Sequence, residues 1–284
     1  MIPTAFEYAR ATSIDDALLK LAATGEGGKF LAGGHSLVPL MKLRLSEPRT
    51  LVDISRIPEL QGVEERDGRI VIGAATVHHD VATSTLLRER CPALAEAAAS
   101  IGDPQVRNRG TIGGSVAHAD PSADIPAVLL ALDAEIHLKS TSGVRVVPAT
   151  DFFVGLFSVD MRPDEIITSV QFVPVRSAAY AKLHQRASHY AIVGVAAALD
   201  VRAGTITTAR VALTGATSHA IRLSGVEQAL AGQPLSEDVL ERAAAAAAHG
   251  LEDVNADIHA SAEYRIAMVQ VFVRRALSAA MARS

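Results

Sequence analysis

Two short glycine-bearing stretches are where this sequence can do chemistry. One is Ala32-Gly33-Gly34-His35-Ser36-Leu37; the other is Thr111-Ile112-Gly113-Gly114-Ser115. Each sets two glycines beside a hydroxyl. Glycine lets the backbone approach a ligand closely and adopt positive φ. Successive N–H groups in such turns form an anion-binding nest, and serine or threonine hydroxyls donate to phosphate oxygens. A single Gly-Gly pair is ordinarily only a turn, but two matched stretches converging on one point suit a pyrophosphate. Neither stretch fits Gly-x-Gly-x-x-Gly or the Walker pattern, which argues against a Rossmann or P-loop site.

The second stretch runs on into Asp120 and Asp124. Carboxylates pointed at a phosphate would repel it, so their better targets are hydroxyls of the ribityl or ribose kind. Asp124 reads equally well as the cap of a short helix, Pro126 to Leu132. His35 reads as a structural imidazole whose backbone contributes to the first nest. His78, His79 and His118 lack metal-ligand spacing with cysteine or carboxylate partners and read as surface or helix-end residues. Lys29 and Arg107 flank the stretches as offsets to negative charge, and Arg109 reads as a solvated or partner-facing cation. Ile101 and Ile167 are candidate apolar contacts for an adenine or another flat ring, with core packing as their ordinary role. The sequence assigns no metal site and no catalytic acid, base or nucleophile.

These residues must be positioned by a mixture of helices and strands. Ser13 caps a helix over Ala17–Ala23, with Asp16 in the capping-box position. Strands are expected at 29–31, 50–54, 69–72, 134–139, 144–147 and 166–173. Helices are expected at 37–45, 77–87 and 92–101, with an irregular segment at 103–109 leading into the second glycine stretch. Beyond a linker at 174–178 come three strands, 180–186, 192–201 and 206–213. The middle one is continuously apolar and therefore central. Helices at 225–230, 236–249 and 262–280 complete the chain. The class is α+β, in three parts: 1–55, 56–176 and 177–284.

The 284 residues carry a formal net charge of −4 without a basic block, so nucleic acid is not an expected partner. The start lacks the apolar core of a signal peptide. No apolar run approaches the ~20 residues needed to span a bilayer. The single cysteine, Cys91, makes no internal disulfide and suits a reducing, cytoplasmic setting. One thiol also excludes an iron–sulfur cluster held within this chain, which takes about four thiolates.

The two glycine stretches resemble those of FAD-binding medium subunits of molybdenum hydroxylases. Carbon monoxide dehydrogenase medium subunits look closest, and xanthine dehydrogenase flavin domains are more distant. The resemblance extends to Met1-Ile2-Pro3, to Asp103-Pro104-Gln105-Val106-Arg107 and to Ala262-Glu263-Tyr264-Arg265. It implies a two-lobed FAD-binding domain of the vanillyl-alcohol oxidase type followed by a C-terminal flavoprotein domain. Both glycine stretches would clasp the FAD pyrophosphate, and Asp120, and Asp124 with it, would contact the cofactor. Lys182 would place positive charge near the flavin pyrimidine edge, and Tyr190 would lie against the flavin ring. Relatives often carry glycine or aspartate before this tyrosine, where this chain has His189.

The resemblance further implies a flavoprotein oxidoreductase subunit that performs electron transfer. It would take electrons from the [2Fe-2S] clusters of a small subunit, while a large subunit holds the molybdenum cofactor, the whole forming a doubled heterotrimer. The rival enzyme reading is a stand-alone FAD-dependent oxidoreductase of the same fold group, which would need its own acid–base residues over the flavin. A non-catalytic nucleotide-binding or scaffold protein is the other rival.

Overall fold

The computed structural model describes residues 2–284; Met1, the first residue of the Met1-Ile2-Pro3 start, lies outside the described residues. The chain begins with β1 (Glu7–Arg10), α1 (Ile14–Ala23), β2 (Gly28–Leu31), α2 (Leu37–Lys42) and β3 (Thr50–Asp53). The three strands form a parallel sheet in the order β1-β3-β2. Ser13 caps α1 by accepting from the Asp16 N–H, and the Asp16 carboxylate accepts from the Thr12 N–H, closing the N-terminal turn from both sides.

The middle of the chain contains β4 (Val63–Arg66), β5 (Arg69–Gly73), α3 (His78–Thr83), α4 (Thr85–Arg90), α5 (Pro92–Ala99), α6 (Pro104–Arg107), α7 (Ile112–His118) and α8 (Asp124–Ala131). It continues through β6 (Glu135–Ser140), β7 (Gly143–Pro148), α9 (Ala149–Phe152), β8 (Phe153–Gly155), β9 (Ser158–Val159) and β10 (Ile166–Phe172). A five-stranded antiparallel sheet, β4-β5-β10-β6-β7, is the frame on which these helices pack. The helix expected at 77–87 is in fact two. Ser84 leaves helical geometry and its hydroxyl accepts from the Leu87 N–H, so it ends one helix and caps the next. The segment at 103–109 is not irregular throughout: Asp103 caps the four-residue α6.

The final part is β11 (Ala178–His184), β12 (Ala191–Arg202), β13 (Thr205–Thr214), β14 (Ile221–Arg222), α10 (Ser224–Leu230), α11 (Glu237–Ala245) and α12 (Ala262–Met281). Its antiparallel sheet runs β11-β12-β13-β14, so the continuously apolar strand is internal. α12 covers one face; α8 and α5 approach from the middle of the chain and cover the other. The helix expected at 236–249 stops at Ala245 and tightens to a 3₁₀ turn at Ala246–Ala248.

The seam between residues before and after 177 has a consistent polarity. Among the described residues, four ion pairs cross it: Lys182–Asp124, Arg210–Asp133, Arg222–Asp133 and Arg283–Glu96. Every cation belongs to the C-terminal part and every anion to the middle part.

Candidate functional site

The first glycine stretch links the end of β2 to the start of α2. Gly34 has φ +75°, which a side chain would resist. The loop leaves a row of donors free. Among the described residues, nothing accepts from the backbone N–H groups of Gly33, Gly34, His35, Ser36 and Leu37. Unpaired N–H groups that converge at a helix start are a ready anion site. The second stretch meets this loop backbone to backbone: a Cβ on Gly33 would stand 2.1 Å from the Arg109 carbonyl oxygen and 2.8 Å from the Gly110 Cα. Glycine at 33 is therefore what lets the two stretches touch.

The second stretch is not a second nest. It is the cap and first turn of α7. The Thr111 hydroxyl accepts from the Gly114 N–H, and the Thr111 carbonyl accepts from the Ser115 N–H. The N–H groups of Ile112 and Gly113 are spent on the Thr76 and Ala74 carbonyls. Gly113 is there for packing, since a Cβ would fall 2.5 Å from the Ala74 Cβ. What this stretch still offers a ligand is the Thr111 N–H, the exposed Gly114 and the half-buried Ser115 hydroxyl. The local sequence signal was sound, but a cap and a nest have the same residue types, and only tertiary pairing separates them.

Asp124 is neither a cap nor a solvent-facing acceptor. It opens α8 without capping it and is buried, with one carboxylate oxygen 2.8 Å from the Lys182 ammonium and the other accepting from the Tyr180 hydroxyl at 2.5 Å. Lys182 also donates to the Ser100 carbonyl. Burial pushes the Asp124 carboxyl up, and Lys182 and Tyr180 pull it back. Burial and the neighbouring Asp124 charge push the Tyr180 phenol well up. Room for the phenol comes from Gly194 on β12, where a Cβ would lie 2.2 Å from the Tyr180 oxygen. Tyr180 and Gly194 were missed in the sequence because each reads there as ordinary strand filling.

Asp120 accepts from the Ser122 N–H in a local turn and is half-buried. Tyr190 immediately precedes β12 and is 46% exposed. Burial raises its pKa first, then the charges of Asp120 and Asp124. The segment carrying Asp120 is stitched to the C-terminal sheet: Pro121 O accepts from Gly215 N–H and Thr214 hydroxyl, and Ser122 O from Ala191 N–H. The structure thus brings Asp120, Asp124, Lys182 and Tyr190 to one end of the seam. His118, at the end of α7, feels charges from that region and from β2. Burial lowers its pKa, opposed by Asp120 and assisted by Lys29.

Other expected residues take plainer places. Ile167 is 4% exposed within the main core, and Ile101 is half-buried against the same core. Arg107 donates to the Ile101 and Gly102 carbonyls. Of the two places expected for His78, the helix end is the one it takes, as the first residue of α3; it is not at the surface, being 5% exposed, and its backbone N–H donates to Gly110 O at 2.9 Å. Among the described residues no group of three or more metal-ligating side chains gathers, and no helix is long and apolar enough to cross a membrane.

This arrangement, a row of free amides beside a capped helix, with carboxylates further along, fits a dinucleotide with a pyrophosphate and hydroxyl-bearing arms. Comparisons with known proteins agree with it. Residues 4–175 match the family model of the FAD-binding domain in molybdopterin dehydrogenase, and residues 178–280 match that of the CO dehydrogenase flavoprotein C-terminal domain. The carbon monoxide dehydrogenase medium chain of Hydrogenophaga pseudoflava is 41% identical over 100% of this chain and 99% of its own. The 6-hydroxypseudooxynicotine dehydrogenase complex subunit alpha of Paenarthrobacter nicotinovorans is also 41% identical, over 100% and 97%. A solved structure of the Hydrogenophaga pseudoflava carbon monoxide dehydrogenase lacking the Mo-pyranopterin moiety superposes with a TM-score of 0.94 at 41% identity, covering 100% of this chain and 99% of that one.

Proposed function

The chain belongs to the family of FAD-binding medium subunits of molybdopterin dehydrogenases, and from that premise we propose that it is the electron-transfer subunit of a molybdenum hydroxylase complex. In this reading a small partner subunit holds [2Fe-2S] clusters and a large one holds the molybdenum cofactor, in a doubled heterotrimer in the cytoplasm. Residues 1–55 and 56–176 are then the two lobes of a vanillyl-alcohol oxidase-type FAD domain, and 177–284 the flavoprotein C-terminal domain.

The row of unpaired amides from Gly33 to Leu37 carries the reading. Bound there, FAD supplies a carrier that takes electrons from a cluster and releases them to an external acceptor. The Gly33–Leu37 amides hold the pyrophosphate, joined by Thr111 N–H, Gly114 and the Ser115 hydroxyl. Ala32 and Ile112 support these loops from behind. Asp120 accepts from a sugar or ribityl hydroxyl. Asp124 pairs with Lys182 and fixes it near the ring end of the site, and Tyr190 shields one ring face. Ile101 and Ile167 form the apolar backing. No group in this set has to act as a base or nucleophile, which favours a relay over a self-contained oxidase. Two relatives of equal identity are named for different substrates, which supports substrate selection in another subunit.

The test is a visible spectrum of the purified chain after incubation with FAD and desalting, repeated on the complex co-expressed with its partners. About one retained FAD per chain, reduced through the clusters when substrate is added to the complex, is the expected result. A colourless chain in both preparations rejects it.

A further inference from the structure

We propose that His78 is an additional cofactor-binding residue, a neutral imidazole whose Nε2–H donates a hydrogen bond to the pyrophosphate of bound FAD. The inference rests on the flavoprotein reading and adds to it a group that the glycine stretches do not contain.

His78 is the first residue of α3 and stands at the junction of the two stretches. Its backbone N–H donates to Gly110 O at 2.9 Å, and its ring lies on the same glycine: a Cβ on Gly110 would be 3.0 Å from Cδ2 and 3.3 Å from Nε2. Gly110 is in turn the residue on which Gly33 rests. Loop, glycine and imidazole therefore form one stack next to the free amides.

The two ring nitrogens are in different situations. Among the described residues, Nδ1 has no hydrogen-bond partner and is sealed from solvent. A buried N–H without an acceptor is the costlier of the two orphan states, so the proton belongs on Nε2. Nε2 lies along the Gly110 backbone, where protein acceptors are already used. Unlike Nδ1, Nε2 is not sealed away and, among the described residues, holds no protein partner, so its N–H is open to a ligand acceptor beside the glycine on which the first stretch rests. Burial, and next the charge of His35 in the first stretch, push the ring's pKa down to about 4, so the ring is neutral at physiological pH. A neutral donor suits this position because it keeps its proton without placing a buried cation under the loops.

The test uses the full chain with ¹⁵N-labelled histidine. The His78 signals, assigned by their absence in His78→Gln, are followed as FAD is added. The expected result is a Nε2–H tautomer in the free chain, with that proton moving downfield on binding. FAD affinity is measured in parallel. His78→Phe is expected to lose about 10-fold or more, the usual worth of a hydrogen bond to a charged acceptor, while His78→Gln, which keeps an N–H near Nε2, stays within about 3-fold of wild type. Stoichiometric FAD on the wild type with an unmoved His78 signal overturns the proposal, even if His78→Phe fails to fold. Failure of the wild type to bind FAD, alone and in the complex, overturns the flavoprotein reading and the proposal together.

Discussion

The Lys182 ammonium stands 2.8 Å from the Asp124 carboxylate, with both side chains 5% exposed, across the seam between the middle and C-terminal parts of the chain. Tyr180 and the Ser100 carbonyl complete the hydrogen bonding of the pair. A buried pair of this kind is a weak source of net stability but is costly to break, because the survivor stays desolvated.

Lys182→Met should therefore destabilise the chain by about 3–5 kcal/mol in urea unfolding, with Asp124 left unpaired. The double variant Lys182→Met/Asp124→Asn should recover much of the loss. A Lys182→Met single variant within about 1 kcal/mol of wild type would show that the pair does not bear on folding.

Gly33→Ala should lose FAD, since its Cβ would stand 2.1 Å from the Arg109 carbonyl and force the two stretches apart. Gly113→Ala should instead lower the melting temperature, because its Cβ meets Ala74 in the core. FAD content per folded chain separates the two: equal retention in Gly33→Ala and wild type would count against the site as drawn.

Thr111→Val removes the side-chain acceptor at the start of α7. A loss of about 1 kcal/mol in stability is expected. A circular dichroism melt indistinguishable from wild type would rule out the cap as a contributor.

Tyr190→Ala should keep FAD and alter the rate at which the reduced cofactor is reoxidised, since the proposed site uses Tyr190 to cover a ring face and not to hold the pyrophosphate. Stopped-flow reoxidation that matches wild type would remove Tyr190 from the site.

The pH dependence of stability should carry a His78 component. The unfolded residue takes a proton near 6.5, whereas burial keeps the folded one neutral down to about 4. The unfolded state binds more protons between those values. The contribution is therefore intact above pH 6.5 and is lost as pH falls toward 4, amounting to about 3 kcal/mol. His78→Gln should flatten that part of the curve in urea titrations from pH 7 to 4.

The fold was legible in the sequence wherever local chemistry acts alone. Ser13 with Asp16 and the apolar run of β12 each announced their elements. The candidate site was half legible. Glycines at 33 and 34 marked a loop whose amides are free, but Gly113 and Gly114 looked the same while serving a helix cap and a packed core. Ser84 broke an expected helix because its capping role depends on the following turn. Tyr180 was silent because its partner Asp124 lies on another element, and His78 read as peripheral because nothing in its neighbours in sequence reveals the glycine stack above it.

The one-sided charge of the seam has a consequence for how the molecule comes together. Four cations on the later-synthesised part face only anions already in place. Long-range attraction then orients the C-terminal sheet before its apolar face closes on α5 and α8, and a misdocked arrangement would leave like charges opposed. The joint is keyed, with its electrical polarity serving as the key, and high salt should slow its closing more than it loosens the finished, desolvated pair at Lys182.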